Sequence, residues 1–186
     1  VGQFCFCRDV TIERTFEHQI WISANTDALT GLYNRRFFYE YMNENRKENQ
    51  LSLLYVDLDD FKKVNDAHGH HIGDGALELV ARLMREAFPG DFIVRLGGDE
   101  FLICLVGERS LAFLEEKANR LLQSLLGAFQ ASDYLRVMSA SIGIASSADP
   151  GTKLDDLVRQ SDIAMYAAKQ SGKSRCCVYS SGLIKK

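Results

Sequence analysis

The spacing of apolar residues predicts a domain in which helices alternate with strands. Residues 51–58 are almost continuously apolar, which is typical of a central strand buried on both faces. Elsewhere, apolar residues recur three and four positions apart, as in an amphipathic helix. The predicted helices are 35–45, 61–67, 76–87, 111–125 and 153–170, and the other predicted strands are 92–94, 101–106, 135–145 and 176–179. Adjacent hairpin strands with crossover helices predict an α+β fold, a mixed α/β sandwich.

Turn and cap residues divide these elements. The Gly97-Gly98 pair joins two strand-like runs and predicts a tight hairpin, because glycine adopts positive φ angles without steric cost. Asn34 and Ser110 each precede a predicted helix and are expected to cap it. Residues 46–50 and the His- and Gly-rich residues 68–75 are predicted loops.

The N-terminal segment has a pattern of its own. Residues 4–8 predict a short strand, and residues 12–25 predict a helix in which Ile12, Phe16 and Ile20 are four positions apart. A helix of about 14 residues is marginal alone in water, so this helix needs a partner. Pairing with a second copy of itself, as a coiled coil, is favoured over packing on its own domain.

Composition narrows the function classes. The net charge of the 186-residue chain is −3, which gives no reason to expect nucleic acid as a partner. Five cysteines, of which one lies in an apolar strand and two are adjacent, favour a reduced cytoplasmic protein over a disulfide framework. No stretch approaches the roughly 20 apolar residues of a membrane span, so no membrane contact is expected of this segment. Because the chain begins with Val, we expect a fragment of a longer protein, and a membrane-associated parent stays open.

Carboxylates follow two of the predicted strands. Asp57 ends the buried strand, and Asp99 and Glu100 follow the glycine pair. If these strands are neighbours, the three acids converge and repel one another unless divalent cations neutralise them. Two oxygen-liganded Mg²⁺ ions are the usual arrangement when the substrate is a nucleoside triphosphate. The alternatives are a solvated hairpin tip and, for Asp59 or Asp60, a helix cap.

Groups that bind phosphate are predicted beside these acids. The helix at 61–67 follows the buried strand directly, and the free N–H groups of its first turn favour an anion. Lys62 lies in that turn, while Lys169 and Lys173 are four positions apart and can reach one anion from the same side. Taken singly, each lysine is better explained by a solvated surface.

Six motifs together resemble the GGDEF domain of diguanylate cyclases, from about Asp27 to Tyr179. They are Asp27-x-Leu-Thr-Gly-Leu-x-Asn-Arg-Arg, Asp57-x-Asp-x-Phe-Lys-x-x-Asn-Asp, Gly69-His70-x-x-Gly73-Asp74-x-x-Leu, Arg95-x-Gly-Gly-Asp-Glu-Phe, Ser141-Ile-Gly-Ile-Ala and Ala164-Met-Tyr-x-Ala-Lys169-x-x-Gly-Lys. A lone Gly-Gly-Asp carries little weight, whereas six motifs in the family's order are specific.

The resemblance implies a fold like the palm of polymerases and nucleotidyl cyclases, with a five-stranded central sheet wrapped by helices. It implies condensation of two GTP into cyclic di-GMP with release of pyrophosphate. The reaction would use a two-metal mechanism at the interface of two domains, so a homodimer is required. The implied cofactor is Mg²⁺, two ions per active site, with Mn²⁺ as an alternative.

Site residues carry over from the family position by position. The implied metal ligands are Asp57, the Leu58 carbonyl, Asp99 and Glu100; the implied catalytic residues are Asp99, Glu100 and Lys62; and the implied substrate-binding residues are Asn65, Asp74, Lys169, Lys173, Phe61 and Asp60. Asp99 would help to deprotonate the 3′-hydroxyl. Asn65 and Asp74 would recognise guanine. The base offers the N1–H and N2–H₂ donors, and one carboxylate can accept hydrogen bonds from both, whereas adenine does not offer this pair.

The chain departs from the family at one position. Many members carry Arg-x-x-Asp before the glycine pair, where product binds and restrains the enzyme. Here that stretch is Phe88-Pro89-Gly90-Asp91. Phe88 makes no bidentate contact to phosphate or guanine, so weak or absent product inhibition is expected, unless Arg85, one turn earlier, substitutes.

Residues 1–26 resemble the end of a PAS-type sensor followed by a signalling helix. The expected domains are therefore 1–26, the end of a sensor with a linker helix, and 27–186, the cyclase domain.

A catalytically weak module that binds GTP or cyclic di-GMP is the main alternative function. A cyclase that makes an adenine-containing dinucleotide is disfavoured by Asp74, and a purely structural dimerisation domain leaves Asp57 and Asn65 without a role.

Overall fold

The structure, a computed structural model, describes residues 11–45, 50–147 and 151–185, with side chains from residue 16 to residue 183 of these ranges. The helices are α1 Thr11–Asn25, α2 Arg35–Asn45, α3 Phe61–His68, α4 His70–Ala87, α5 Leu111–Gln130 and α6 Leu154–Gln170, followed by a 3₁₀ turn at Ser181–Lys185. The strands are β1 Tyr33–Asn34, β2 Leu51–Asp59, β3 Phe92–Gly97, β4 Glu100–Val106, β5 Ser139–Ser146 and β6 Arg175–Val178. The predicted strand at 4–8 and most of the predicted loop at 46–50 lie outside the described residues.

The strands form one mixed sheet in the order β1-β3-β4-β2-β5-β6. Strand β2 is antiparallel to β4 and β5, and the two edge pairs, β1 with β3 and β5 with β6, are parallel. This confirms the α+β sandwich. The sheet has six strands rather than five, because the two residues of β1 pair with β3 at its edge. A two-residue strand is too short to produce an apolar pattern in a sequence.

Side chains of β2 alternate between two apolar layers. All nine of its residues are buried, which explains the nearly continuous apolar run. On one face, Leu54 and Val56 belong to the core cluster that includes residues of α4 and α5. On the other face, Leu53 and Tyr55 belong to the cluster that includes residues of α2 and α6. The sheet is therefore the middle layer of a helix–sheet–helix sandwich.

Helix α6 lies unusually close to β5. A Cβ atom at Gly143 would lie 1.9 Å from the Ser161 carbonyl oxygen and 2.2 Å from the Met165 nitrogen, so a larger residue would push the helix off the sheet. The buried small residues Ala164 and Ala168 agree with the predicted close packing of this helix. This packing fixes the position of Lys169, in the last turn of α6.

Both predicted helix caps are present. The Asn34 side-chain oxygen accepts a hydrogen bond from the Phe37 amide (2.9 Å), and the Ser110 hydroxyl accepts one from the Phe113 amide (3.2 Å). Each satisfies an amide in the first turn that has no partner within its helix.

The predicted loop at 68–75 was wrong, because α4 begins at His70 and only Gly69 separates it from α3. The glycines at 73 and 75 lower the intrinsic helix propensity, yet Gly73 is required by packing. A Cβ atom there would lie 2.0 Å from the Asn65 side-chain oxygen.

The predicted strand at 135–145 begins later, at Ser139, because the residues before it form turns in which Leu135 is buried.

The linker helix α1 is present as predicted, and its apolar residues Phe16 and Ile20 are 62% and 67% exposed. Its C-terminal end is attached to the domain, because Asn34 and Arg36 donate side-chain hydrogen bonds to the Ala24 carbonyl (2.9 and 2.7 Å). The coiled-coil pairing of this helix stays a prediction. Within the described residues, no helix combines the length and the apolar character that crossing a membrane requires.

Candidate active site

The end of β2 meets the hairpin between β3 and β4. Asp57 lies directly across from Glu100 in the antiparallel pairing, and the Leu58 amide donates a hydrogen bond to the Asp99 carbonyl (3.3 Å). Gly98, with φ of 54°, makes the turn between the strands, as the glycine pair predicted. The structure therefore brings together the two acidic segments that are 42 positions apart in the chain, with Asp57 on one and Asp99 on the other.

Asp57 is a buried carboxylate with an incomplete set of partners. It is 6% exposed, and Lys169 Nζ lies 2.6 Å from its Oδ1. This ion pair with Lys169 is the only contact that compensates the buried Oδ1 among the described residues. Burial raises the pKa of Asp57 to about 6 against the effect of Lys169, with smaller contributions from the charges of Asp99 and Glu100. A buried carboxylate compensated by a single ammonium group can exchange that partner for a metal cation.

The protein supplies only part of a metal coordination shell. In the described part of the chain, no three His, Cys, Asp or Glu side chains are grouped closely enough to hold a metal ion alone. Mg²⁺ is usually held by one or two carboxylates with water and substrate phosphates completing the octahedron. Asp57 and the hairpin acids Asp99 and Glu100 offer carboxylate oxygens, the ligand type that Mg²⁺ prefers, at one end of the sheet.

The acids that follow Asp57 have different partners. Asp60 occupies the N-cap position of α3, but its side chain makes no cap and instead pairs with Lys63 (2.8 Å) and Lys173 (2.9 Å). These lysines lower the pKa of Asp60. Asp59 is buried and accepts hydrogen bonds from two serines of β5. The first turn of α3 therefore lacks a side-chain cap, which leaves its positive end to attract an anion.

Two lysines, at the end of α6 and in the turn after it, reach the carboxyl end of β2. Lys169 pairs with Asp57 and Lys173 with Asp60, while Lys62 is exposed in the first turn of α3, the helix that follows β2. The ammonium groups of Lys169 and Lys173 thus lie at the same strand end. A phosphate bound here would compete with the carboxylates for Lys169 and Lys173.

An unpartnered oxygen marks the side of the site formed by α3 and α4. Asn65 Oδ1 is buried and has no hydrogen-bond donor among the described residues. Leaving such a group unpaired costs about 1–3 kcal/mol, which a ligand N–H would recover. Asp74 is exposed near the start of α4, and the Phe61 ring lies near Gly73. This geometry is compatible with a purine that offers N–H donors.

The stretch Phe88–Asp91, where the resemblance places an inhibitory motif, begins with a buried side chain and ends beside a cavity. Phe88 is fully buried, with Lys117 Nζ 4.8 Å from the centre of its ring. Arg85 and Asp91 both line a cavity of about 280 Å³ that Trp21 of the linker helix also lines. Burial raises the pKa of Asp91, against the effect of nearby cations.

One ion pair at the site was not anticipated. Arg95 of β3 donates hydrogen bonds to the Asp27 carboxylate and to the Gly98 carbonyl. A charged residue inside an otherwise apolar strand, beside the glycine pair, is the sequence signal that could have indicated it.

Comparisons with known proteins agree with the motifs. Residues 24–175 match the family model described as "Diguanylate cyclase, GGDEF domain". The chain is 37% identical over 179 residues to the cyclic di-GMP phosphodiesterase PdeR of Escherichia coli, covering 94% of this chain and 27% of that protein. It is 31% identical over 188 residues to a diguanylate cyclase of Vibrio cholerae, covering 96% of this chain and 57% of that protein. The chain thus spans about a quarter of the first relative and just over half of the second.

The fold has a close match among solved structures. The crystal structure of the coiled coil and GGDEF domain of DgcB from Caulobacter crescentus, in complex with c-di-GMP, superposes with a TM-score of 0.80 at 28% identity. The match covers 90% of this chain and 93% of that one.

Proposed function

Because the chain belongs to the GGDEF family of diguanylate cyclases, we propose that it condenses two GTP into cyclic di-GMP and releases pyrophosphate. The observation that carries the proposal is the buried Asp57 carboxylate, which has only Lys169 to compensate its Oδ1 among the described residues and faces the acidic hairpin across β2 and β4. A buried carboxylate that is only partly compensated is unfavourable for folding alone. Its retention is explained if a cation carried by the substrate completes the site.

In this proposal the acids hold the metal ions and the lysines hold the phosphates. Asp57, the Leu58 carbonyl, Asp99 and Glu100 would bind two Mg²⁺, or Mn²⁺, which when bound neutralise the triphosphate and activate the attacking oxygen. Asp99, in the hairpin turn, would accept the proton of the 3′-hydroxyl.

The remaining contacts orient the triphosphate. The charged oxygens of the triphosphate would be bound by Lys62, Lys169 and Lys173. The backbone N–H groups of Asp60 and Phe61, at the N-terminal end of α3, would also donate hydrogen bonds to them. Lys169 would exchange its carboxylate partner for phosphate when the metal arrives.

Guanine would be selected by α3 and α4. The unpartnered Asn65 oxygen accepts one N–H donor of the base, and the Asp74 carboxylate accepts the N1–H and N2–H₂ pair. Adenine would leave these acceptors unpaired, so GTP is preferred over ATP.

Two domains must face each other, since each would hold one GTP whose 3′-hydroxyl attacks the other. We expect the exposed apolar residues of α1 to join the two copies in the homodimer, under the control of a preceding PAS-type sensor in a cytoplasmic protein. The expected domain boundary lies at residues 26–27, where α1 ends and the turn containing Asp27 begins.

A second candidate function is a catalytically weak module that binds GTP or cyclic di-GMP for regulation. The similarity of the chain to PdeR, which is named as a phosphodiesterase, favours this candidate. The ion pair between Lys169 and Asp57 also favours it, because Lys169 competes with a metal ion for the carboxylate. The intact Asp99 and Glu100 favour the cyclase.

The experiment that separates them is incubation of the protein with GTP and Mg²⁺, followed by chromatography of the products. The cyclase predicts cyclic di-GMP and pyrophosphate, and no corresponding product from ATP. Binding of GTP without any product would favour the regulatory module.

A further inference from the structure

Asp59 is a buried carboxylate that takes no part in the proposed reaction. It is 1% exposed and ends β2, two residues after Asp57. Its Oδ2 accepts a hydrogen bond from the Ser139 hydroxyl (2.7 Å) and its Oδ1 one from the Ser141 hydroxyl (2.9 Å). Both serines lie on the neighbouring strand β5, where Ser139 is directly opposite Asp59. The carboxylate is therefore held rigidly against the sheet.

The same carboxylate bonds the turn that follows α6. The Ser174 amide donates to Asp59 Oδ2 (3.3 Å). Lys173 and Ser174 have φ angles of 61° and 51°, a left-handed backbone that residues with a Cβ atom rarely adopt. Two successive residues in this conformation need an external contact to keep them there, and Asp59 provides one.

The left-handed turn determines where Lys173 points. From it, Lys173 Nζ reaches Asp60 Oδ2 (2.9 Å), at the positive end of α3. An ordinary extended or helical backbone at 173–174 would direct the side chain elsewhere. Two contacts hold this turn, the hydrogen bond from the Lys173 amide to the Ala168 carbonyl (3.1 Å) and the one from the Ser174 amide to Asp59. The Asp59 contact is the one made by a side chain, so the position of the ammonium group depends on that side chain.

We propose that Asp59 is a positioning residue that holds the 173–174 turn so that Lys173 faces the nucleotide phosphates. The inference rests on the proposed function, since it assigns Lys173 to the phosphates. Asp59 itself touches neither substrate nor metal. A carboxylate suits the task because it accepts several hydrogen bonds at once, from two hydroxyls and one amide.

The test is a double-mutant cycle on binding of GDP with Mg²⁺, a nucleotide that cannot release pyrophosphate, measured by calorimetry. Asp59→Asn keeps the shape but weakens the acceptor, and Lys173→Met removes the ammonium. We expect each variant to raise Kd about tenfold, the effect of one charge-assisted hydrogen bond. In the double variant, Kd should be no higher than in Lys173→Met alone. Asp133→Asn, in an exposed pair with Arg136, is the matched control and should leave Kd unchanged.

The outcomes distinguish the inference from the function it rests on. Multiplying effects in the double variant, or an unchanged Kd in Asp59→Asn, would overturn the positioning role while the nucleotide site stands. A wild-type chain that binds no guanine nucleotide would overturn both. If circular dichroism shows that Asp59→Asn is unfolded, Ser139→Ala takes the place of that variant in the cycle, because it removes one of the hydrogen bonds to Asp59. It should raise Kd by a smaller factor, and an unchanged Kd there would equally overturn the positioning role.

Discussion

Arg95 joins the turn after the linker helix to the acidic hairpin through an ion pair with Asp27. One guanidinium nitrogen lies 3.0 Å from Asp27 Oδ1, and another donates to the Gly98 carbonyl at 2.8 Å. The side chains of Arg95 and Asp27 are 13% and 24% exposed, so the pair is largely shielded from water. Burial opposes ionisation of Asp27, but hydrogen bonds from Thr30 and Arg95 outweigh it and lower its pKa. The hairpin that carries Asp99 is thereby attached to the base of α1.

Replacing Arg95 by Ala should destabilise the domain and reduce turnover. Loss of one partner leaves the Asp27 charge poorly compensated, and we expect the free energy of unfolding to fall by about 2 kcal/mol. Urea denaturation measures this loss, and a cyclase assay measures the effect on the hairpin. Arg120→Ala is the control, because its pair with Glu116 is exposed on α5 and should contribute under about 0.5 kcal/mol. Equal losses in the two variants would show that the buried pair has no special role.

Replacing Asp57 by Asn should abolish activity but raise stability in a pH-dependent way. Burial raises the pKa of Asp57 from 3.8 to about 6, so between these values the folded protein binds more protons than the unfolded one. Wild-type stability therefore falls as pH rises from about 4 to about 6, and then stays at the lower level. The variant lacks this dependence, so the difference in Tm, measured in EDTA, should grow across that window. A constant difference from pH 4 to pH 8 would contradict the burial effect.

Replacing Phe16 and Ile20 together by Glu should weaken dimerisation and lower turnover. The native side chains are 62% and 67% exposed on α1. Two glutamates in each of two copies would place four negative charges in the coiled coil. Sedimentation velocity measures the dimer, and the rate is followed as a function of protein concentration. Glu17→Gln, on the same helix, is the control. Unchanged activity of the double variant at low protein concentration would eliminate the linker helix as the dimer contact.

Product inhibition through the position of the family's inhibitory motif should be weak or absent. Phe88 is fully buried and cannot contact a ligand, whereas Asp91 and Arg85 line a common cavity. Calorimetric titration with cyclic di-GMP, compared between wild type and Asp91→Ala, tests this expectation. A submicromolar affinity that Asp91→Ala removes would contradict it. Loss of that affinity in Arg85→Ala as well would identify Arg85 as the substitute for the missing arginine.

Features determined by nearby residues were predictable from the sequence. The buried strand β2, the Asn34 and Ser110 caps and the glycine hairpin all depend on residues within a few positions. The start of α4 was missed because Gly73 is selected by its contact with Asn65 on another helix, against its helix propensity. Strand β1 was missed because its two residues are defined by pairing with β3.

Contacts in the site that join distant segments were less accessible. The convergence of Asp57 with the acidic hairpin was predicted because both lie at strand ends. By contrast, the ion pair of Asp57 with Lys169 and the hydrogen bonds of Asp59 with serines of β5 connect residues 80 or more positions apart. Only the packing of α6 and β5 on β2 brings them together, and no local pattern encodes it.

The most direct test of the proposed function is the Asp99→Asn variant, assayed with GTP and Mg²⁺ beside the wild type. The substitution removes the carboxylate that we propose as proton acceptor and metal ligand, and it keeps the side chain's size and shape. We predict that wild type forms cyclic di-GMP, while the variant folds with an unchanged circular dichroism spectrum and forms none. Full activity of Asp99→Asn, or no cyclic di-GMP from the wild type, would contradict the assignment of this site as that of a diguanylate cyclase.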